Sequence, residues 1–227
     1  MPKKHGKKYQ DILKEFDKKA LYEKEEACDL VKKYSYSSFP GTVEVHIKTG
    51  ANPKYNDQMI RSTVVLPHGT GKTKKVAVFT TEDNFDLAKD AGADVVGYKD
   101  LLEKIEKGEL DFDVLITTQD MMKDLAKVAK ILGPRGVMPS PKAGTVTNNI
   151  KETVNEVKKG RVEFKLDKTG SIHVAIGKTN FETNKLKENL EALLNAIEEV
   201  RPSGVKGKLL QKITLSPTMG PGVQVKY

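Results

Sequence analysis

The sequence predicts two domains, a basic α+β domain built from both chain ends and a small α/β domain inserted between them. Three observations lead there. Charge is segregated along the chain, strands near both ends alternate apolar with polar residues, and strands in the middle are continuous apolar runs. The 227 residues carry 39 Lys and Arg against 31 Asp and Glu, a net charge of +8. Residues 1–66 hold 13 basic and 9 acidic groups, residues 67–158 hold 14 and 15, and residues 159–227 hold 12 and 7. Both ends are therefore basic around a neutral middle. One basic terminus alone would mark a solvated end as readily as a binding surface. Two of them suggest that 1–66 and 159–227 fold together, with 67–158 as the insertion.

The elements follow in order. Helical spacing covers 8–18 and 24–36, the latter through Ala27, Leu30, Val31 and Tyr34. Val43, Val45 and Ile47 then alternate with Thr42, Glu44, His46 and Lys48, the pattern of a strand with one wet face, and a short strand is expected at Arg61–Leu66. In the middle, Lys75–Thr80 and Phe112–Thr117 are continuous apolar strands separated by helical segments, which predicts a parallel sheet in a three-layer, Rossmann-like domain. Its helices are expected at Phe85–Ala91, Leu101–Lys107 and Gln119–Leu132, each stopped by a glycine (Gly92, Gly108, Gly133) suited to a left-handed position. A helix through Ile150, Val154 and Val157 leads back. Arg161–Leu166 and Ser171–Ile176 flank the turn Asp167–Gly170 and read as a hairpin. Leu186, Leu190, Leu193, Leu194, Ile197 and Val200 form a helical stripe, and a last strand runs near Leu209–Leu215. About two strands from the front and three from the back would make one antiparallel sheet with helices on one face.

Composition and spacing exclude several function classes. No apolar run approaches the roughly 18 residues of a membrane helix, and the basic N-terminus has no apolar segment behind it, so a cytoplasmic protein is expected. The single cysteine, Cys28, forms no internal disulfide and no multi-cysteine zinc site, and its helical setting suggests an inert core thiol. Gly69-Thr70-Gly71-Lys72-Thr73 imitates a phosphate-binding loop, but Leu66 stands where its first glycine belongs and a strand, not a helix, follows. A joint between domains at Pro67, matched by Gly160 on the return, accounts for it better. His5, His46, His68 and His173 are widely spaced, so no metal or other cofactor is expected. No nucleophile elbow is present, and an enzyme is not expected.

Two loops remain. Gly133–Thr145 carries three glycines and three prolines and reads either as a rigid connector or as a backbone platform with Arg135 and Lys142 for phosphates. Pro217-Thr218-Met219-Gly220-Pro221-Gly222 reads either as a bare turn or as a contact site where another backbone comes close. Phe39, between Ser38 and Pro40, is equally a core residue or an exposed stacking surface. A basic domain whose wet surfaces are strand ends and loops, without zinc finger or extended basic helix, suits irregular RNA better than a DNA groove.

Leu66-Pro67-His68-Gly69-Thr70-Gly71-Lys72, the Gly133–Val146 loop, Gly160–Phe164 with Asp167–Gly170, and Thr218-Met219-Gly220-Pro221 together resemble the L-one family of large-subunit ribosomal proteins, over essentially the whole chain. The resemblance implies a structural ribosomal protein whose two-ended domain binds side-stalk helices of large-subunit rRNA beside departing exit-site tRNA. For bacterial members it also implies repression of translation by binding their own operon mRNA. RNA contacts carried over from the family fall on Phe39, Thr42, Glu44, Thr218, Met219 and Gly220, with Lys3, Lys4, Lys7 and Lys8 as accessory basic contacts. Ser38 stands where many members have lysine, and Lys212 where serine is common.

Overall fold

The computed structural model describes residues 6–227, and the chain divides into two compact units: residues up to 71 together with 162–227, and residues 72–161. The segments of unit one hold 23 basic and 16 acidic residues, and unit two holds 16 and 15, so nearly all of the excess charge belongs to unit one. The chain crosses after Gly71 and after Arg161, four residues beyond Pro67 and one beyond Gly160.

Unit one opens with α1 (Lys7–Glu15), β1 (Leu21–Tyr22) and α2 (Lys24–Lys33). Phe16 stacks on Tyr34 at 5.0 Å between ring centroids, fixing the end of α1 against that of α2. β2 (Thr42–Thr49) buries Val43, Val45, Ile47 and Thr49 and turns Thr42, Glu44, His46 and Lys48 the other way. β3 (Arg61–Val65) closes this half.

Unit two follows with β4 (Val76–Phe79), α3 (Phe85–Asp90), β5 (Val95–Gly97), α4 (Lys99–Glu106), β6 (Val114–Thr117), α5 (Met122–Leu125), α6 (Ala129–Arg135) and α7 (Ile150–Lys159). Its three strands are parallel in the order β5-β4-β6. Both faces are covered. Ala77, Phe79 and Leu115 pack with Leu101, Ile105, Leu125 and Leu132, whereas Val76, Val78 and Ile116 pack with Ala88, Ile150, Val154 and Val157. This explains why the strands read as unbroken apolar runs.

The return supplies β7 (Arg161–Lys165), β8 (Ser171–Lys178), α8 (Thr183–Glu199), β9 (Leu210–Pro217) and β10 (Val223–Val225). Unit one's main sheet has the order β1-β10-β9-β2-β8, antiparallel except for the β1–β10 pair. α8 has no side-chain cap and no acidic residue in its first turn, yet Leu186, Leu190, Leu193, Leu194 and Ile197 are almost fully buried with the apolar face of the sheet. At ~1.5–3 kcal/mol for each such side chain, packing rather than capping holds this helix.

Three expectations are corrected. The segments around Asp167–Gly170 are not paired as a hairpin: β7 joins β3 in a separate two-stranded sheet, β8 joins β2, and only a Leu166–Ile172 bridge links them. The 119–132 helix is broken into α5, a 3₁₀ turn and α6, and α6 runs through Gly133 and Pro134 to a left-handed Gly136 at φ +71°. Gly133 therefore does not stop it, although Gly92 and Gly108 do adopt positive φ. The short β1, β5 and β10 have no sequence pattern long enough to announce them.

Candidate nucleic-acid interface

The expected contact residues converge where β2 and β9 meet, with Val43 opposite Pro217 and Glu44 opposite Ser216. Beyond the ladder, the Thr218 N–H donates to the Thr42 carbonyl at 2.9 Å and the Thr42 N–H donates to Thr218 Oγ1 at 3.0 Å. Lys178 Nζ donates to Thr42 Oγ1 at 3.1 Å. The loop carrying Phe39 is fastened to the same place, because the Tyr36 N–H donates to the Met219 carbonyl at 3.2 Å. Ser37 Oγ donates to the Phe39 carbonyl at 2.7 Å and shapes that loop from within. A Cβ on Gly220 would come 2.6 Å from Pro217 Cγ and 2.8 Å from the Tyr34 carbonyl, so this close approach requires glycine.

Two large apolar side chains stand out from this polar frame. Phe39 is 60% exposed and Met219 42%, so Phe39 is a surface residue and not part of the core. Glu44 is half-buried one pleat further along β2, its carboxylate 3.9 Å from His46 Nε2. Phe39, Thr42, Thr218, Met219 and Gly220 are thus tied into one end of the sheet, with Glu44 beside them. Lys7 and Lys8 are exposed on α1, while Lys3 and Lys4 lie outside the described residues.

The other motifs have structural explanations. Gly69 and Gly71 have φ of +61° and +70°, and the chain runs on into β4, so no phosphate-binding loop forms. The turn after Leu66, which contains Pro67, is pinned to α8. Asn189, buried within that helix, accepts from the His68 N–H and donates to the carbonyls of Gly69 and Ile176. Gly160 caps α7 at φ +109°. Arg135 and Lys142 are exposed in unit two. Cys28 is fully buried, and burial first, with Asp29 second, pushes its thiol up to about 12.

One pairing escaped the sequence. His46 and His173, 127 residues apart, face each other across β2 and β8 with their Nδ1 atoms 2.8 Å apart. Their place on the wet faces of two strands was readable, but the register that joins them was not. No group of three or more potential metal ligands exists among the described residues.

The family model of the ribosomal protein L1p/L10e family matches residues 31–221, and full-length relatives extend that match. The large ribosomal subunit protein uL1 of Thermosipho africanus is 52% identical over 226 residues, covering 99% of this chain and 97% of the relative. Those of Thermosipho melanesiensis and Kosmotoga olearia are 51% and 48% identical, over 99% and 100% of this chain and 97% and 98% of theirs. A mixed α/β chain with this match is a ribosomal protein and not an enzyme. It belongs to the ribosomal protein L1p/L10e family and is a structural protein of the large ribosomal subunit.

Proposed function

We propose that unit one grips folded large-subunit rRNA at the side-stalk helices, using Phe39, Thr42, Glu44, Thr218, Met219 and Gly220 for fit. Lys3, Lys4, Lys7 and Lys8 add long-range attraction. The hydrogen bonding that fastens the Phe39 loop and Thr42 to Thr218 and Met219 supports this reading, because it presents two exposed apolar side chains on a fixed polar frame inside the basic unit. In this proposal the joints beside Pro67 and Gly160 let the units move relative to each other, and the protein works on the cytoplasmic ribosome. There it assists release of deacylated tRNA from the exit site. The same surface binds a similar fold in its own operon mRNA and represses translation.

The test is binding of the full-length protein to an isolated side-stalk rRNA fragment. Met219→Glu should weaken binding at least tenfold without moving the unfolding midpoint, because the side chain is already exposed. Unchanged affinity would place the specific surface elsewhere.

A further inference from the structure

Opposite its helices, the main sheet of unit one presents a polar face that reads as rows across β9, β2 and β8. Lys212, Lys48 and Ser171 form one row; Thr214, His46 and His173 form the next; Ser216, Glu44 and Ala175 the third. Rows are ~6.8 Å apart, two residues of strand, and the Thr42–Thr218 end of the interface is the continuation of the same face. The first two rows line a pocket of about 140 Å³, large enough for a phosphate group. Its polar wall offers the ammonium groups of Lys48 and Lys212 and the hydroxyls of Ser171 and Thr214 as donors to an oxyanion, with the two imidazoles beside them as the groups whose charge can respond. Lys48 Nζ donates to the Thr169 carbonyl at 2.5 Å, which leaves two of its three N–H groups for a ligand.

The imidazole pair adds a second, independent observation. A 2.8 Å contact between two Nδ1 atoms requires one N–H between them. The outer nitrogens each face a carboxylate, His173 Nε2 at 3.5 Å from Asp167 and His46 Nε2 at 3.9 Å from Glu44, and these favour N–H groups there as well. A neutral pair has only two protons for those three places. One extra proton satisfies all three. In the free protein, burial first and His173 second hold the His46 pKa below its ordinary value, with Glu44 opposing. The charged groups facing the pair are thus Glu44 and Lys48 on β2, Lys212 on β9 and Asp167 before β8.

We propose that this pocket seats a phosphate of the RNA backbone, and that seating it draws one proton onto the His46–His173 pair. The inference rests on the reading of unit one as the RNA-gripping unit and extends its contact along the sheet. An anion in the pocket raises the imidazole pKa, so protons are taken up on binding and affinity rises as pH falls through the histidine range.

The test measures affinity of the full-length protein for the side-stalk fragment from pH 8 to 5.5 at fixed salt. Wild type should bind about tenfold more tightly at the acid end, within the limit of one log unit per pH unit that a single proton allows. His173→Gln should flatten that dependence, and Lys212→Gln should weaken binding about threefold or more at every pH while keeping it. A flat wild-type profile, or an undiminished slope in His173→Gln, overturns the proposal. If Met219→Glu weakens binding while His173→Gln and Lys212→Gln change nothing, the pocket fails and the RNA reading stands. Inorganic phosphate titrated against the imidazole ¹⁵N resonances separates the remaining cases. Shifts at His46 and His173 without RNA binding would mean a free-phosphate site and would overturn the backbone assignment; neither shifts nor RNA binding would overturn both readings.

Discussion

Asn189 shows how much one polar side chain can organise. It has no exposed surface, yet it satisfies the His68 N–H and the carbonyls of Gly69 and Ile176 from the buried face of α8. Asn189→Ala would leave the buried Ile176 carbonyl and the part-buried His68 N–H and Gly69 carbonyl without that partner. Unit one should lose about 2–4 kcal/mol, at ~1–3 kcal/mol per uncompensated group with partial relief from water. Denaturant unfolding checks this, and a loss under 0.5 kcal/mol would show that the Leu66–Gly69 turn is held by other means. The sequence offered Asn189 only as a polar residue in a leucine stripe, because its partners are set by the fold. The same limit applied to the interface. Phe39 and Met219 could each be picked out as unusual, but their joint position depends on the bonding of Tyr36 and Thr42 to residues about 180 positions later.

At the scale of elements, period-two and 3.6-residue patterns were legible wherever one face met the core, as in Val43, Val45 and Ile47 or the α8 leucines. Pairing was not. The Asp167–Gly170 turn looks like a hairpin because its local chemistry is that of a tight turn, with Gly170 at φ +75°, yet its flanking strands find other partners. Within this turn the Ser171 N–H, then the Thr169 hydroxyl and N–H, donate to the Asp167 carboxylate and hold its pKa down to about 2. Because the folded value is depressed, the turn's contribution is complete above pH ~4 and is lost as pH falls through about 2. Asp167→Asn should remove that acid dependence. Thermal melting followed from pH 5 to 2 should therefore fall more steeply in wild type than in the variant, and parallel curves would refute the role of this carboxylate.

For the whole molecule, unit one carries 23 basic against 16 acidic residues and unit two 16 against 15, so the surplus positive charge lies in the unit that contains both chain ends. The short strands and the break between α5 and α6 were lost to sequence reading because tertiary packing, not local preference, sets them. If unit one neutralises about six phosphates, affinity for the rRNA fragment should drop by roughly 10³ between 50 and 200 mM salt. Filter binding across that range checks this, and a flat response would contradict an electrostatic share in recognition.

β2 lies between β8 and β9, both encoded more than 120 residues downstream of it. During synthesis β2, apolar on one face and polar on the other, precedes both of its partners, and unit two, whose sequence is uninterrupted, emerges between them. Thr42 can meet Thr218 only after β9 has been made. A product arrested before that point lacks β9 and has an open seam beside β2, so the two sides of the candidate interface come together late in synthesis.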